Sequence, residues 1–352
     1  MKAITRDNQP TSNRAQSNSP LRFNRRALFL GGGAAAAGLL GYPLLRRALA
    51  KRGTAFIARG QRYDGPLDQT IRDGLLATGF DPAAIAGKRV LLKPNLVEPT
   101  RKSPQMTTHP AMIVAAATVF RRWGAKVLVG EGPGHVRDTE WALDESGMQD
   151  ALDSLQIEFA DLNYEDVGWI ENVGRASKLA GFWFPRSVIE ADLIVSMPKM
   201  KTHHWVGFTA SMKNLYGTIP GIKYGWPKNV LHHAGIPETV FDISACLPKS
   251  IAIVDGIVAM EGDGPIMGSA KPLGLVIIGT NTTAADATVA RLMGLDPARV
   301  SYLQLAANRL GPVEESFISQ RGEAIAGLVK PFKIIDRPHL RALQTDAGQR
   351  VS

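Results

Sequence analysis

The sequence predicts an α/β fold in which a largely parallel mixed sheet is covered by helices on both faces. Three observations carry that expectation. Short runs of consecutive apolar residues recur from residue 53 onward, each breaks off abruptly into polar or glycine-rich sequence, and segments of helical periodicity lie between them. A run that is apolar at every position is buried on both faces, which is the state of a strand in a parallel sheet. In order, "KRVLLKPN" (Lys88–Asn95) reads as a strand, and "HPAMIVAAATVFRRWG" (His109–Gly124) as a helix with Pro near its start and Gly just past its end. "AKVLVGEGPG" is a strand and turn, and "ADLIVSMPK" a strand. "TASMKNLYG" reads as a helix carrying Thr209, Lys213 and Asn214 near one face. "YGWPKNVLHHAGIP" (Tyr224–Pro237) is irregular, a lid or surface loop. "SIAIVDG" and "LGLVIIGTN" are further strands, "TTAADATVARLMG" (Thr282–Gly294) a helix opened by a Thr cap, and "PFKIID" a last strand. Residues 53–352 form one large α/β domain.

Charge separates the ends of the chain. The formal net charge is +9, but residues 1–52 hold ten of the 41 Lys/Arg and one of the 32 Asp/Glu. The remaining 300 residues therefore carry 31 of each and are balanced. Counterion release on nucleic acid needs a basic face, and nothing global in the body supplies one, so no nucleic-acid partner is expected. The first 52 residues read instead as a leader. Arg25-Arg26 precede a weakly hydrophobic Ala/Gly/Leu run, and "ALA" at Ala48–Ala50 is a small-residue cleavage site. Paired arginines in that setting resemble a twin-arginine export signal, which makes the export machinery a partner and the periplasm the destination. Ala27–Leu45 is long enough to stay behind as an uncleaved membrane anchor, although five glycines and Pro43 weaken it.

One cysteine, Cys246, rules out an intramolecular disulfide and a thiolate-held iron–sulfur cluster within one chain. It lies in apolar "VFDISACLP" and reads as packing.

The informative pattern is where polar residues fall. Strand ends are followed by Lys93, Asn95 and Glu98; by Glu131, Gly132 and His135; by Lys199, Lys201, His203 and His204; and by Asp255, Glu261 and Asp263. Ligands of open parallel sheets bind beyond the carboxyl ends of the strands, so these groups are expected to line one cleft. Lys199, Lys201 and Lys213 suit a phosphate or carboxylate, and "GEGPGH" offers permissive backbone for an anion. It is not a G-x-G-x-x-G fingerprint. Asp255, Glu261 and Asp263 are hard oxygen donors that fit Mg²⁺ or Ca²⁺, or else turn residues around Gly262 and Gly264. No H-E-x-x-H, C-x-x-C or G-x-S-x-G is present.

Taken in order, "KPNLV", "VGEGPG", "ADLIVSMPKMKTHHWVGFTASMKNLYGTIPG", "DGIVAMEGDGP" and "GTNTTAADATVARLMG" resemble the family called domain of unknown function 362, over roughly Lys88 to Leu295. The polar positions that match are Lys93, Asn95, Glu131, Lys199, Lys201, Thr202, His203, Lys213, Asn214, Asp255, Glu261, Gly262, Gly264 and Asp286. The resemblance implies no settled reaction. Many relatives carry a cysteine-rich, ferredoxin-like cluster module, from which this chain departs.

Two functions are therefore expected. In the first, an exported enzyme acts on a small anionic substrate. Lys93, Asn95, Glu131, Gly132, Lys199, Thr202 and Asn214 bind it, Lys201, His203, Lys213 and Glu261 act in catalysis, and Asp255 with Glu261 holds a divalent cation. In the second, the same cleft holds a cofactor or metal without turnover, in a maturation protein associated with an iron–sulfur redox partner.

Overall fold

The computed structural model describes residues 50–346. The chain falls into two units, Met1–Ala50 and Lys51–Ser352, and every element named below belongs to the second. The twin-arginine motif, the apolar run and most of the "ALA" sequence lie outside the described residues.

The sheet contains β1 (Gly53–Ala58), β2 (Arg89–Lys93), β3 (Lys126–Glu131), β4 (Phe159–Asp161), β7 (Leu193–Ser196), β8 (Lys199–His203), β9 (Gly207–Thr209), β10 (Ser250–Glu261), β11 (Ser269–Gly279) and β12 (Ile318–Gly322), while β5 (Val167–Glu171) and β6 (Gly181–Pro185) make a separate antiparallel pair. The main path runs β12-β1-β11-β10-β7-β2-β3-β4. Pairing is parallel from β10 through β7, β2 and β3 to β4 and between β1 and β12, and antiparallel on both sides of β11. This is the expected mixed, largely parallel α/β sheet.

The two faces can be read strand by strand. Leu91, Ile194, Ala252, Val254 and Ile277 join one core cluster, while Val90, Leu92, Leu193, Val195, Ile251, Ile253, Val276 and Ile278 join the other. Successive side chains of a strand point to opposite faces, so each run must be apolar throughout. The second cluster is completed by α1 (Leu67–Ala77), α2 (Pro110–Arg122) and α3 (Met148–Leu155). The first takes α4 (Ser211–Asn214), α5 (Ile236–Cys246), α6 (Thr282–Leu292) and α7 (Ser301–Ala306). Cys246 packs half-buried against that first cluster, and burial pushes its thiol pKa up.

Several elements differ from expectation. Asn281, not Thr282, caps α6, its side chain accepting from the Ala284 N–H. "PFKIID" contributes only an isolated bridge, Ile334 to Gly262, and the last strand is β12, whose polar sequence "ISQRG" suits an edge. Thr209 lies in β9, so the helix of "TASMKNLYG" begins only at Ser211. The irregular stretch from Tyr224 contains a helical turn at Asn229–His233. The largest difference is β8. "KMKTH" is expected to follow a strand end, yet it is a strand itself with all five residues buried, because β8 continues the line of β7 alongside the long strand β10.

Candidate functional site

The carboxyl ends of β7, β2 and β3 lie side by side, and their last side chains build the floor of a site. Lys93 and Glu131 form an ion pair there, 0% and 2% exposed. Burial pushes the Lys93 pKa down and the Glu131 pKa up, and each partner opposes the other's shift. Lys93 Nζ also donates to the Pro94 carbonyl (2.8 Å) and to Asn214 Oδ1 (3.3 Å), while Asn214 Nδ2 donates to the Lys93 carbonyl and to Ser196 Oγ, both at 3.1 Å. Gly217 lies against this pair. A Cβ at Gly217 would strike Glu131 Oε1 and Lys93 Nζ. Gly217→Ala is thus expected to cost about 1–3 kcal/mol by overpacking, read as a lower midpoint in urea with an unchanged slope.

A second buried pair stands behind the first. On β8 the period of two puts Lys199, Lys201 and His203 on one side, and Met200, a core residue, on the other. Lys199 Nζ bonds Asp255 Oδ2 at 2.5 Å and Tyr63 Oη at 2.9 Å. Asp255 also accepts from Tyr63 Oη and the His109 N–H at 3.0 Å and from the Ile257 N–H at 3.2 Å. Both side chains of the pair are fully buried. Lys199, expected to bind ligand, and Asp255, expected to hold a metal, have their polar atoms engaged with each other and with this network.

Glu261, expected in catalysis and as a metal ligand, is placed away from the cavity lining. Its Oε2 accepts from Lys271 Nζ (2.5 Å) and the Lys333 N–H (3.1 Å), which ties the C-terminal segment to β10 and β11. Lys271 sits opposite Ala259, so the pair is a diagonal cross-strand contact, not a group in the cleft. The structure therefore does not bring Asp255 and Glu261 to a shared cation site, and no cluster of three or more His, Cys, Asp or Glu suited to a metal occurs among the described residues. Thr202 Oγ1 is engaged by the Gly262 carbonyl at 2.8 Å. The Gly132 N–H donates to the Gly217 carbonyl at 3.1 Å, so that amide is not left for an anion.

What remains converges. A cavity of about 270 Å³ is lined by Asn95, Lys201, His203, Lys213, Lys228 and His232, with Trp205, Tyr216 and Ile266 among its apolar walls. Among the described residues Glu131, already paired with Lys93, is the single carboxylate in its lining. Lys201 Nζ donates to the Met106 carbonyl at 2.9 Å, and Lys228 Nζ to the carbonyls of Gly132 (3.0 Å) and Ile219. Lys213 Nζ lies 3.9 Å from the centroid of the Tyr216 ring and makes no hydrogen bond among the described residues. Burial pushes each of the three amines down to about 7; Lys199 and Lys213 add to the effect at Lys201, and Lys93 adds to it at Lys213.

The imidazoles are neutral for the same reasons. Burial and then Lys213 hold His203 well below its ordinary value and bring His232 to about 4. His203 Nδ1 accepts from the Trp205 N–H at 3.2 Å, which leaves the ring proton on Nε2. Asn95 is nine-tenths buried and its Oδ1 has no partner. Asp286 accepts the N–H groups of Ser211 (2.7 Å) and Met212 (2.9 Å), fixing the start of α4 and so the positions of Lys213 and Asn214.

Of the expected residues, Asn95, Glu131, Gly132, Lys201, His203, Lys213 and Asn214 line the cavity, while Lys93, Lys199, Thr202, Asp255 and Glu261 do not. Sequence reasoning missed Lys228, Tyr216 and His232. Lys228 sits in the stretch read as a loop and is 3% exposed. It takes a left-handed conformation (φ 68°), uncommon for a non-glycine residue, and no sequence signal marks it.

Residues 90–291 match the model of the family described as domain of unknown function (DUF362). The chain is also similar to the thylakoid-associated protein sll1697 of Synechocystis sp., at 31% identity over 229 residues, 64% of this chain and 68% of that one. Among solved structures, the lactate racemase apoprotein from Thermoanaerobacterium thermosaccharolyticum overlaps 70% of the chain at a TM-score of 0.45 and 12% identity. The overlap spans 58% of that chain, and a likeness at this level bears on neither substrate nor cofactor.

Proposed function

The chain belongs to the domain of unknown function 362 family, and we propose that its cavity is the site of an enzyme acting on a small phosphate- or carboxylate-bearing molecule. The observation that carries this reading is the meeting of Lys201, Lys213 and Lys228 in one cavity whose only carboxylate among the described residues is already paired. Amines gathered without counter-charge repel one another and lose solvation; an anion relieves both. Asn95 Oδ1 adds an acceptor for a donor on the ligand. The three amines, poised near neutrality, supply groups able to give or take a proton during a reaction, and the neutral His203 adds an Nε2–H hydrogen-bond donor. Arg25-Arg26 support export through the twin-arginine pathway as the route by which the folded protein reaches its place of work.

Sulfate, whose charge is constant across the relevant pH range, tests the site. At about a hundred times its dissociation constant it should stabilise the wild type by ~2.7 kcal/mol. Lys201→Ala and Lys213→Met should abolish that stabilisation without lowering the melting temperature of the empty protein. Unchanged stabilisation in both variants would sink the assignment.

The pH dependence has a defined sign. An anion binds the protonated amines, so affinity is greatest below pH 7 and falls as pH rises through about 7, where the free cavity's amines lose their protons. The empty protein behaves oppositely. Its amines sit at about 7 when folded against an ordinary 10.5, so from pH 7 upward the unfolded chain binds more protons and stability rises. Melting curves with and without sulfate should therefore converge as the pH is raised.

A further inference from the structure

We infer that Lys213 is a nucleophilic amine that forms an imine with an anionic carbonyl compound, a 2-oxo acid being the simplest. The inference rests on the anion-binding reading of the cavity and adds a reacting atom to it.

Four buried lysines and the half-buried Lys213 surround the site, and their bonding separates one from the rest. Lys93 and Lys199 are ion-paired with Glu131 and Asp255. Lys201 donates to one backbone carbonyl and Lys228 to two. An amine held in that way has its hydrogens directed at fixed acceptors and is poorly placed to attack. Among the described residues Lys213 alone of the five has no hydrogen-bond acceptor, and it opens into the cavity against the face of Tyr216. Its position is nonetheless well defined, because it sits on the four-residue helix α4, whose first N–H groups are held by buried Asp286.

The neighbours match the steps. Lys201 and Lys228 stand in the same cavity to hold a carboxylate or phosphate. The Lys213 Nζ lone pair forms a bond to the carbonyl carbon while the C=O π pair moves to oxygen, which takes a proton; the nitrogen loses one, giving a carbinolamine. The hydroxyl then takes a second proton and leaves as water while the nitrogen lone pair forms C=N. That proton comes from the ammonium form of Lys201 or Lys228, whose amines sit at about 7, while the neutral His203 Nε2–H is a hydrogen-bond donor for the departing oxygen. The product iminium is a cation, and the Tyr216 face 3.9 Å from Nζ stabilises it. The balance is amine, carbonyl and one proton in, iminium and one water out, with no oxidant or reductant. Burial supports the assignment by leaving a large share of Lys213 as free amine near neutral pH.

The test uses glyoxylate, which carries both a carboxylate and an aldehyde, with cyanoborohydride to trap the imine, followed by peptide mass mapping of the whole protein. Lys213 should be carboxymethylated at least about tenfold faster than exposed Lys102 and Lys126, and sulfate should slow it. Lys213→Arg should lose the adduct while keeping sulfate stabilisation. Labelling of Lys213 no faster than Lys102, or preferential labelling of Lys201 or Lys228, overturns the inference; sulfate stabilisation persisting in that case leaves the anion site standing. Fast labelling of Lys213 without sulfate stabilisation would uphold the amine chemistry and overturn the anion requirement.

Discussion

Asp255→Asn is expected to destabilise the protein by about 3–5 kcal/mol, the range for stranding one partner of a buried ion pair. The substitution barely changes volume, so packing is not the cause. It leaves Lys199, fully buried, without a counter-charge. It also replaces an oxygen by an NH2 group where the carboxylate receives Tyr63 Oη, the His109 N–H and the Ile257 N–H. Asparagine offers one acceptor oxygen for those donors and brings donors of its own. At roughly 2–4 °C per kcal/mol for a domain of this class, the melting temperature should fall by about 6–20 °C. Lys199→Met in the same background should recover much of the loss, because a buried pair replaced by apolar side chains is often tolerated. A single variant melting within about 2 °C of the wild type would show that Asp255 does not hold this network. His109 precedes α2 and Ile257 lies within the β10 irregularity, so the loss should be global and not confined to the cavity.

The same pair shows how much of the site was legible in the sequence. Lys93, Glu131, Lys199, Lys201 and Asp255 were all found by one rule, that polar residues after buried strands gather at the carboxyl edge of a parallel sheet. The rule locates the edge and does not say what each group faces there. Lys93 meets Glu131 across 38 residues and Lys199 meets Asp255 across 56, and only the strand order makes them neighbours. Two lysines expected to bind a ligand are thereby spent on internal carboxylates. Lys213 carried a better local signal, since it stands among apolar residues, and it is the amine left without a hydrogen bond. Lys228 carried none. The fold was more legible because a doubly covered strand must be apolar at every position. β8 escaped for the converse reason, as Lys199 is buried against Asp255 and Lys201 against the Met106 carbonyl, and neither by being apolar.

Lys93→Met and Glu131→Gln should both destabilise the protein, by about 3–5 kcal/mol for the variant that strands a full charge, yet they should act oppositely on anion binding. In the wild type the pair is neutral as a unit and lies beneath a cavity of amines. Removing Lys93 releases the Glu131 carboxylate, which lines the cavity near Lys228 and would occupy the place of a ligand anion as an internal counter-ion. Sulfate affinity should drop by about tenfold or more, a modest Coulomb energy at an effective dielectric of about 20. Glu131→Gln removes the only carboxylate of the lining instead, and Lys93 keeps its bonds to the Pro94 carbonyl and Asn214 Oδ1. Sulfate affinity should then be retained or increased even though the protein is less stable. Combining the two changes should recover stability relative to the sum of the single losses, since neither charge is left unpaired. Urea titrations and sulfate-dependent melts of the three variants measure both quantities. Equal loss of sulfate binding in Lys93→Met and Glu131→Gln would mean that the floor acts only as a shape, and that the charge of this pair does not govern what the cavity accepts.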